Sequence, residues 1–485
     1  MQGVPSLVQL CLTMKASTVD VLVLVIYVVV MLFLGYRGYK RSQSSTDYLV
    51  AGRRLGMGMY IACLSAVALG GAATVGSASL GYQHGISGIW LVTWIGLGIV
   101  ALGILLGSKL ANLGVLSVSE MLELRYDGRA RLASAGITVV YTLMVSVTQV
   151  IAMGSILGPM LERSPAEGML IGGVVVILYT LLGGMWSVSY TDLIQFGFMT
   201  IGVFFLMLPL SIVKSGGMSA LLSEMPVAHL RFDTIGYGTI VLFFLLFFLG
   251  LLIGQDIWQR VFTAKNGDVA RRGTVIAGLY CVLYAFATTC IGMIAWVRFP
   301  SLDDPQTAFA RVAVEMLPAG VSGIVLAGSV SALMSTASGT LLASSTVLAN
   351  DVYRRFLAPD VDDRRFLSMT RVLTGVLGVA VIVVALFVGN VIVALDIAYT
   401  YLTGAIFVPV MAALFWRRAT ASATFSSMCA SAVVATVAML VWGAGATPPI
   451  VLGLTTSLVV LAVVSLSTRP PSPARLAAWE ERLRG

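Results

Sequence analysis

Histidine and cysteine are scarce in this chain of 485 residues. The two histidines, His84 and His229, lie far apart in the sequence. They are too few to predict a metal site or a catalytic triad built on histidine. The five cysteines are scattered and lie mostly in apolar stretches, which argues against a disulfide framework. Since no nucleophile paired with a base is recognisable either, we expect a protein that is not an enzyme.

Charged residues are also few, at 11% of the chain, whereas 58% of the residues are hydrophobic and the mean hydropathy is +0.96. A soluble domain could not enclose so much apolar side chain, so the composition indicates a polytopic membrane protein. Helices of roughly 20 apolar residues cross a bilayer. We predict thirteen such spans, at 18–36, 57–82, 86–108, 132–158, 168–186, 190–213, 236–258, 274–297, 318–349, 371–390, 391–415, 421–443 and 448–467.

The positions of Lys and Arg predict the orientation, because these residues accumulate in cytoplasmic loops. With the N-terminus outside and the C-terminus in the cytoplasm, all but six of the 30 basic residues fall on the inside; the six are Lys15, Arg163, Lys214, Arg231, Arg298 and Arg311. The net charge of +8 therefore reflects topology and predicts no nucleic-acid partner. The basic run 36–41 follows the first apolar stretch, which favours a retained helix over a cleaved signal, with Met14 as an alternative start.

Two apolar stretches contain glycines where a membrane helix would be expected to continue. The stretch 57–82 contains Gly70–Gly71, and the stretch 236–258 contains Gly250 and Gly254. Glycine costs a helix about 1 kcal/mol relative to alanine, although small residues also serve close helix packing. Each stretch is the first in a group of five, and broken helices at matching positions are typical of inverted-repeat transporters.

This grouping predicts a single membrane domain over 1–485. Its parts are an extra N-terminal helix at 18–36, a first five-helix repeat at 57–213, a second, inverted repeat at 236–415, two additional helices at 421–467 and a cytoplasmic tail at 468–485. We expect no attached soluble domain and no obligate protein partner; the partners predicted are the lipid bilayer and a small organic solute.

The segment 331–346 has the length and apolar character of a membrane helix but carries a cluster of hydroxyl groups. Serine and threonine at one-turn and near-one-turn spacing place oxygens on one helix face, and hard cations bind oxygen. Where the stretch 57–82 unwinds, the carbonyls near Ala66 and Leu69 lose their hydrogen-bond donors. We therefore expect a cation between the hydroxyl cluster and the first broken helix.

Several motifs occur in order along the chain: Gly183–Gln195, Gln259–Lys265, Ala332–Thr336 continuing to Asn350–Tyr353, and Leu414–Arg418. In order and spacing they resemble the sodium:solute symporter family, relatives of the sodium-coupled proline, pantothenate, sialic acid, sugar and choline carriers. The resemblance implies an all-α membrane protein of the plasma (inner) membrane. It also implies a LeuT-like fold of two inverted five-helix repeats, with one helix before them and two after.

The resemblance further implies a main sodium site. Its ligands would be the backbone carbonyls of Ala66, Leu69 and Ala332 and the hydroxyls of Ser335 and Thr336. These neutral oxygens suit a weakly held monovalent ion that must also leave, so sodium is the expected cofactor.

Family members with a second sodium use an aspartate that corresponds to Asp192, together with hydroxyls at Ser338 and the next position. That next position is Gly339 in this chain, so one ligand is missing and a second sodium is in doubt. Asp192 also has a structural interpretation, as a helix cap or as a residue that orders the cytoplasmic exit.

The residues at the positions that the sugar and choline branches use disfavour both a sugar and choline as the solute. The sugar-binding positions correspond to Ala73, Val92 and Gly254, which offer no polar side chain. The aromatic box for a quaternary ammonium corresponds to Ala68, Gln149 and Gly254. We expect an amino acid or a carboxylate, because free N–H groups at a broken helix favour a carboxylate. The candidate solute-binding residues are Gly70, Gly71, Ala73, Gln83, Gln149, Gln255, Asp256 and Tyr399.

Asp256 has three interpretations, since a carboxylate within a membrane is costly and is a functional candidate by default. It can pair with an amine of the solute, carry a coupling proton, or pair with Arg260 one turn on. The function predicted is sodium-driven uptake of a small organic solute by alternating access. The alternatives are a proton-coupled carrier that uses Asp192 or Asp256, and a sensor related to transporters.

Overall fold

The computed structural model describes residues 17–484, so Cys11, Met14 and Lys15 lie outside the described residues. Within this range the chain is helical apart from one isolated bridge between Leu55 and Ala264. The helices of the first half are α1 Thr18–Arg41, α2 Ser45–Val50, α3 Met57–Ala68, α4 Ser77–His84, α5 Trp90–Leu105, α6 Gly107–Asn112, α7 Val118–Arg125, α8 Gly128–Met160, α9 Pro165–Thr200, α10 Leu208–Lys214 and α11 Met218–Glu224.

The second half continues the all-helical architecture. Its helices are α12 Tyr237–Phe243, α13 Leu249–Leu251, α14 Gln255–Val261, α15 Gly267–Arg298, α16 Ala308–Met316, α17 Val321–Thr346, α18 Asp363–Val388, α19 Val391–Tyr401, α20 Phe407–Phe415, α21 Ala421–Trp442, α22 Thr447–Ser467 and α23 Pro473–Arg484. Wider π-helical turns lie at Ala72–Gly76, Ile201–Met207, Phe244–Phe248, Val347–Leu357 and Leu402–Ile406.

Among the described residues, 10 helices are long and apolar enough to cross a membrane, or 11 if the pair Tyr237–Leu251 and Gln255–Val261, bent by 42°, is one span. Two of them, Ala72–Leu105 and Pro165–Lys214, contain a sharp turn at a glycine with positive φ, Gly85 and Gly184 respectively. Gly85 lies between the predicted stretches 57–82 and 86–108, and Gly184 lies near the end of the stretch 168–186; the helix count joins the stretches at both places. The count of thirteen spans and the orientation of the termini remain predictions.

Gly184 shows why one of these turns needs glycine. Its φ of 54° and ψ of −133° lie in a region that other residues rarely adopt. A Cβ there would also overlap the carbonyl oxygen of Tyr48 in α2. The backbone can therefore leave helical geometry at Gly184 while it packs directly on α2.

Helix α17 lies at the centre of the bundle, where nearly all of its residues are buried. It packs against α1, α8 and α9 and also contacts the broken helices through α3 and α14. The hydroxyl cluster at 331–346 is thus enclosed by protein on several sides, which positions it for a site within the membrane.

Both predicted helix interruptions are present. Helix α3 ends at Ala68, Leu69 leaves helical geometry with φ −100° and ψ 49°, and the chain resumes as a helix at Gly71–Ala72. In the second case Gly254 is extended, with φ −60° and ψ 126°, before α14 begins. At each interruption, backbone groups lose their partners within the helix.

Candidate functional site

The hydroxyls of α17 divide into two groups. Most of them donate to a carbonyl of their own helix, as Ser338 does to Ser335 at 3.0 Å and Ser345 does to Leu342 at 2.9 Å. Such bonds satisfy a hydroxyl without any ligand. Several hydroxyls of α17 also reach other helices, namely those of Ser322, Ser335, Thr336, Thr340, Ser344 and Thr346. Of these, Ser335 and Thr336 are the two that the family resemblance assigns to sodium.

Ser335 belongs to a buried charged network. Its Oγ donates to Oδ1 of Asp192 at 2.6 Å, and Oδ2 of Asp192 lies 3.2 Å from Nη2 of Arg260. Both charged side chains are fully buried, at 0% exposure. Each oxygen of the carboxylate therefore has a partner, which offsets part of the cost of removing the two charges from water.

Thr336 connects α17 to the break in the first broken helix. Its Oγ1 lies 2.9 Å from the carbonyl oxygen of Val67 and 3.2 Å from that of Ala332, so its one hydrogen can serve either acceptor. The approach is close because residue 70 is glycine: a Cβ on Gly70 would lie 2.6 Å from Oγ1 of Thr336.

The carbonyls of Ala66 and Leu69 lie at the same break. In the described part of the chain neither accepts a hydrogen bond, whereas the N–H of Leu69 turns back to Ser65 at 3.2 Å. The five predicted sodium ligands thus lie on α17 and on the end of α3, which the contact between Thr336 and Val67 holds together. Neutral carbonyl and hydroxyl oxygens are suitable ligands for a hard monovalent cation.

The residues predicted for a second sodium are engaged elsewhere. Asp192 contacts Ser335 and Arg260, and Ser338 donates to its own helix. A Cβ at Gly339 would lie 2.9 Å from Nη2 of Arg260 and 2.5 Å from Cγ2 of Val67. The guanidinium of Arg260 thus lies directly beside the position that lacks a ligand.

Gln149 of α8 contacts the unwound segment of the first broken helix. Its Oε1 accepts the N–H of Gly71 at 2.9 Å, and a Cβ on Gly70 would come equally close to that oxygen. Ala73, two residues after Gly71, is also buried, at 1% exposure. The N–H of Gly71 is therefore already paired, and a solute carboxylate would have to displace Gln149 to bind there.

Asp256 lies in the first turn of α14 and is 4% exposed. Its Oδ1 accepts the hydroxyl of Tyr141 at 2.8 Å, and Arg260, which the sequence offered as a partner, pairs with Asp192 instead. The ring of Tyr399 stands edge-on to that of Tyr141, with centroids 5.7 Å apart, and Phe247 packs on Tyr399 at 4.9 Å. The carboxylate is thus set beside a group of aromatic rings.

The sequence reasoning missed Tyr141, although a signal was available. Tyr141 precedes Gln149 by eight residues, or about two turns, so both lie on a similar face of α8. Polar residues repeat along that face at Thr138, Thr142 and Ser146, all of which are buried. A buried polar stripe on an apolar helix indicates the face that contacts a site.

Two predicted solute ligands lie apart from this group. Gln83 is exposed and donates to Ser79 within its own helix at 3.2 Å. Gln255 accepts the N–H of Val118 at 2.8 Å and donates to the carbonyl of Leu116 at 3.2 Å. The structure therefore does not bring Gln83 or Gln255 together with Gln149 and Asp256.

A family model described as the sodium:solute symporter family matches residues 48–431. The chain belongs to this family. Its sequence is 27% identical over 466 residues to the high-affinity proline transporter PutP of Bacillus subtilis (strain 168), covering 92% of this chain and 97% of that one. It is 25% identical over 438 residues to the sodium/pantothenate symporter of Escherichia coli (strain K12), covering 85% and 89% of the two chains.

Solved structures show the same fold. A Na⁺-coupled sialic acid symporter in a substrate-bound, outward-open state superposes with a TM-score of 0.81, at 19% identity, over 94% of this chain and 99% of that one. The transporter Mhp1 in a closed conformation gives a TM-score of 0.54 at 15% identity over 90% of this chain. The similarity to the sialic acid symporter shows that the chain has the LeuT-like fold.

Members of the sodium:solute symporter family are transporters, not enzymes. The apolar helices and the bacterial relatives together make this chain a multi-pass protein of the plasma membrane. The predicted family, fold type and location are confirmed.

Proposed function

We propose that the chain is a secondary active symporter that couples inward sodium flow to the uptake of a small organic solute. The observation that carries the proposal is the contact of Thr336 with the end of α3, beside the carbonyls of Ala66 and Leu69, which have no donor among the described residues. With Ala332 and Ser335 these groups form the proposed sodium site.

Sodium at this site would join α17 to the first broken helix, two elements that must separate or slide when the transporter changes state. An ion drives such a change only through a difference in its affinity for the two states. In the proposed cycle, sodium favours the outward-open state and solute binding then permits closure and inward opening. A membrane potential contributes about 2.3 kcal/mol per charge per 100 mV.

The topology proposed for this cycle has thirteen spans, with the N-terminus outside and the C-terminus in the cytoplasm. It divides the chain between residues 82 and 86 and between residues 186 and 190, and it assigns 57–213 and 236–415 to the two inverted repeats. The basic residues and the two helix interruptions support this assignment.

The proposed solute is a small amino acid or related compound with an amine. Asp256 supports this choice because, among the described residues, it forms no ion pair and its partner Tyr141 is neutral. An ammonium group is attracted both by a carboxylate and by aromatic rings. The carboxylate beside the rings of Tyr141, Tyr399 and Phe247 therefore suits an ammonium group. A solute that lacks an amine would leave this buried charge without a counter-charge.

Gln149 and Tyr141 are about 12 Å apart along α8, since each residue rises 1.5 Å. Under the proposed topology Tyr141 lies nearer the cytoplasm. A small zwitterion would therefore contact the Gly70–Gly71 segment first and Asp256 afterwards, as it moves inward.

The test is uptake into proteoliposomes under an imposed sodium gradient, after thermal-shift screening of amino acids and carboxylates with and without sodium. The double variant Ser335→Ala with Thr336→Ala should abolish sodium-dependent uptake. The matched control is Ser345→Ala, which removes a buried hydroxyl of the same helix that contacts only its own backbone. Unchanged sodium dependence in the double variant, with protein still in the membrane, would refute the sodium site.

A second candidate function is proton-coupled transport through Asp256. The observation that favours it is the lack of an ion pair for Asp256 among the described residues, whereas Asp192 already has Arg260. Uptake that persists without sodium and collapses with a protonophore would support this candidate. Uptake that follows the sodium gradient alone would exclude it.

A further inference from the structure

A groove of about 320 Å³ opens where the last membrane helix ends and the C-terminal helix begins. We call it the arginine groove. Its walls come from the end of α7, the start of α21 and the connection between α22 and α23. The lining residues are Arg125, Tyr126, Thr420, Ala421, Ser422, Thr468, Arg469, Pro471, Ser472 and Arg475.

The arginine groove carries positive charge that its own lining residues do not compensate; Glu480, whose charge acts on Arg125, already pairs with Arg417. Three arginines line it, and no Asp or Glu is among the lining residues. Arg469 and Arg475 are exposed and form no ion pair with any described residue. Chelation of an anion by several guanidinium groups is the usual way in which such a cluster is neutralised.

Arg125 is the buried member of the cluster, at 1% exposure. Its Nη2 donates to the carbonyls of Arg417 at 3.2 Å and Ala419 at 3.5 Å, but its Nε has no partner in the described part of the chain. Burial lowers the pKa of the Arg125 guanidinium and the nearby charge of Arg475 adds to this, while Tyr126 and Glu480 offset part of the lowering. An anion in the groove would relieve both effects.

Two helices also begin at the arginine groove. Helix α21, of 22 residues, starts there with Thr420 as its N-cap, and α23, of 12 residues, starts directly after Pro471 and Ser472. The N-terminus of a helix carries a partial positive charge and unpaired N–H groups, which favour phosphate. The hydroxyls of Ser422 and Ser472 add hydrogen-bond donors at the same place.

The surroundings favour a lipid over a free ion. Helix α22, whose end forms one wall, exposes Val463 and Leu466 at 60% and 67% shortly before the groove. Exposed apolar side chains on a membrane helix contact acyl chains, so the groove lies at the boundary between lipid tails and water. Basic pockets between membrane helices on the cytoplasmic side bind anionic headgroups.

We propose that the arginine groove binds the phosphate headgroup of an anionic phospholipid. The bound lipid would bridge α7, α21 and α23. The C-terminal helix is already held to the bundle, since Nε1 of Trp479 donates to the carbonyl of Ala413 at 3.0 Å and Glu480 pairs with Arg417 at 2.8 Å. A lipid in the groove would strengthen this attachment, independently of the transport function proposed above.

The experiment uses the full chain in detergent and measures its melting temperature during titration with phosphatidylglycerol, cardiolipin, phosphatidylcholine or inorganic phosphate. The variant Arg469→Gln with Arg475→Gln removes two exposed arginines of the groove. The matched control is Arg482→Gln, which removes an exposed arginine of α23 outside the groove. A second variant, Arg469→Lys with Arg475→Lys, keeps the charge and tests for damage to the fold.

We expect the anionic lipids, and not phosphatidylcholine, to raise the melting temperature of the wild type and of the control. The glutamine variant should need about tenfold more anionic lipid for the same rise, and the lysine variant should fall between. Equal responses of the glutamine variant and the wild type would overturn the proposal. Equal protection by millimolar inorganic phosphate would overturn the assignment to a lipid.

Discussion

The two buried carboxylates at the centre of the bundle, Asp192 and Asp256, differ in their hydrogen-bond and ion-pair partners. Asp192 has a partner on each oxygen, the guanidinium of Arg260 and the hydroxyl of Ser335. Asp256 has the neutral hydroxyl of Tyr141 and, among the described residues, forms no ion pair. A carboxylate whose charge is already balanced serves the architecture, whereas one without a counter-charge is available to a solute amine or a proton.

The largest expected effect comes from removing the cation that balances Asp192. Arg260→Gln should destabilise the protein by about 3–5 kcal/mol, because it leaves a buried carboxylate without its counter-charge. Thermal unfolding in detergent measures the loss. The double variant Arg260→Gln with Asp192→Asn should recover much of it, and a single variant as stable as the wild type would show that Asp192 does not depend on Arg260.

Removal of the charge of Asp256 itself should affect transport more than stability. Asp256→Asn should weaken uptake of amine-bearing solutes by about 30-fold or more, because the amine loses a desolvated counter-charge. Its melting temperature should change less than that of Arg260→Gln. Uptake assays with a carboxylate that lacks an amine provide the comparison, and equal uptake of the amine by variant and wild type would remove Asp256 from the solute path.

The neutral partner of Asp256 should have a smaller influence. Tyr141→Phe keeps the aromatic ring and removes one hydrogen bond to a charged group, which is worth about 1.5–3 kcal/mol. We expect a roughly tenfold change in the apparent affinity for an amine-bearing solute, with sodium affinity unchanged. A parallel change in sodium affinity would indicate that Tyr141 acts through the sodium site instead.

The smallest effect is expected at the position beside Arg260. Gly339→Ala adds a Cβ that would lie 2.5 Å from Val67 and 2.9 Å from the Arg260 guanidinium. Because both neighbours are side-chain ends that can shift, we expect a loss of stability of about 1 kcal/mol. Thermal unfolding in detergent measures the loss, and a loss as large as that of Arg260→Gln would contradict the view that these side chains can shift.

Much of the fold could be predicted from the amino-acid sequence alone. Hydropathy located the apolar stretches, and the glycine pairs located both helix interruptions. The turn at Gly184 lies two residues before the predicted end of the stretch 168–186, so the boundary was placed closely but slightly late. These features depend on neighbouring residues, and local sequence is sufficient to indicate them.

The candidate site could be predicted from the sequence only in part. The motifs named Ser335, Thr336 and Asp192, but no local pattern showed that Ser335 bonds to Asp192 and that Thr336 reaches Val67. Gln255 was among the candidate solute-binding residues, yet its side chain bonds to Leu116 and Val118 at the start of α7. The direction of a side chain at a helix start depends on which elements pack beside it.

The sequence by itself determined that this is a membrane transporter of the sodium:solute symporter type, since composition, hydropathy and ordered motifs are properties of the chain. Only the tertiary structure decided the partners of the buried charges. Arg260 stands four residues from Asp256 in sequence but pairs with Asp192, 68 positions away, and Tyr141 reaches Asp256 across 115 positions. The physical reason is that the rotation and packing of whole helices, and not their separation along the chain, set which polar groups meet in a medium without water.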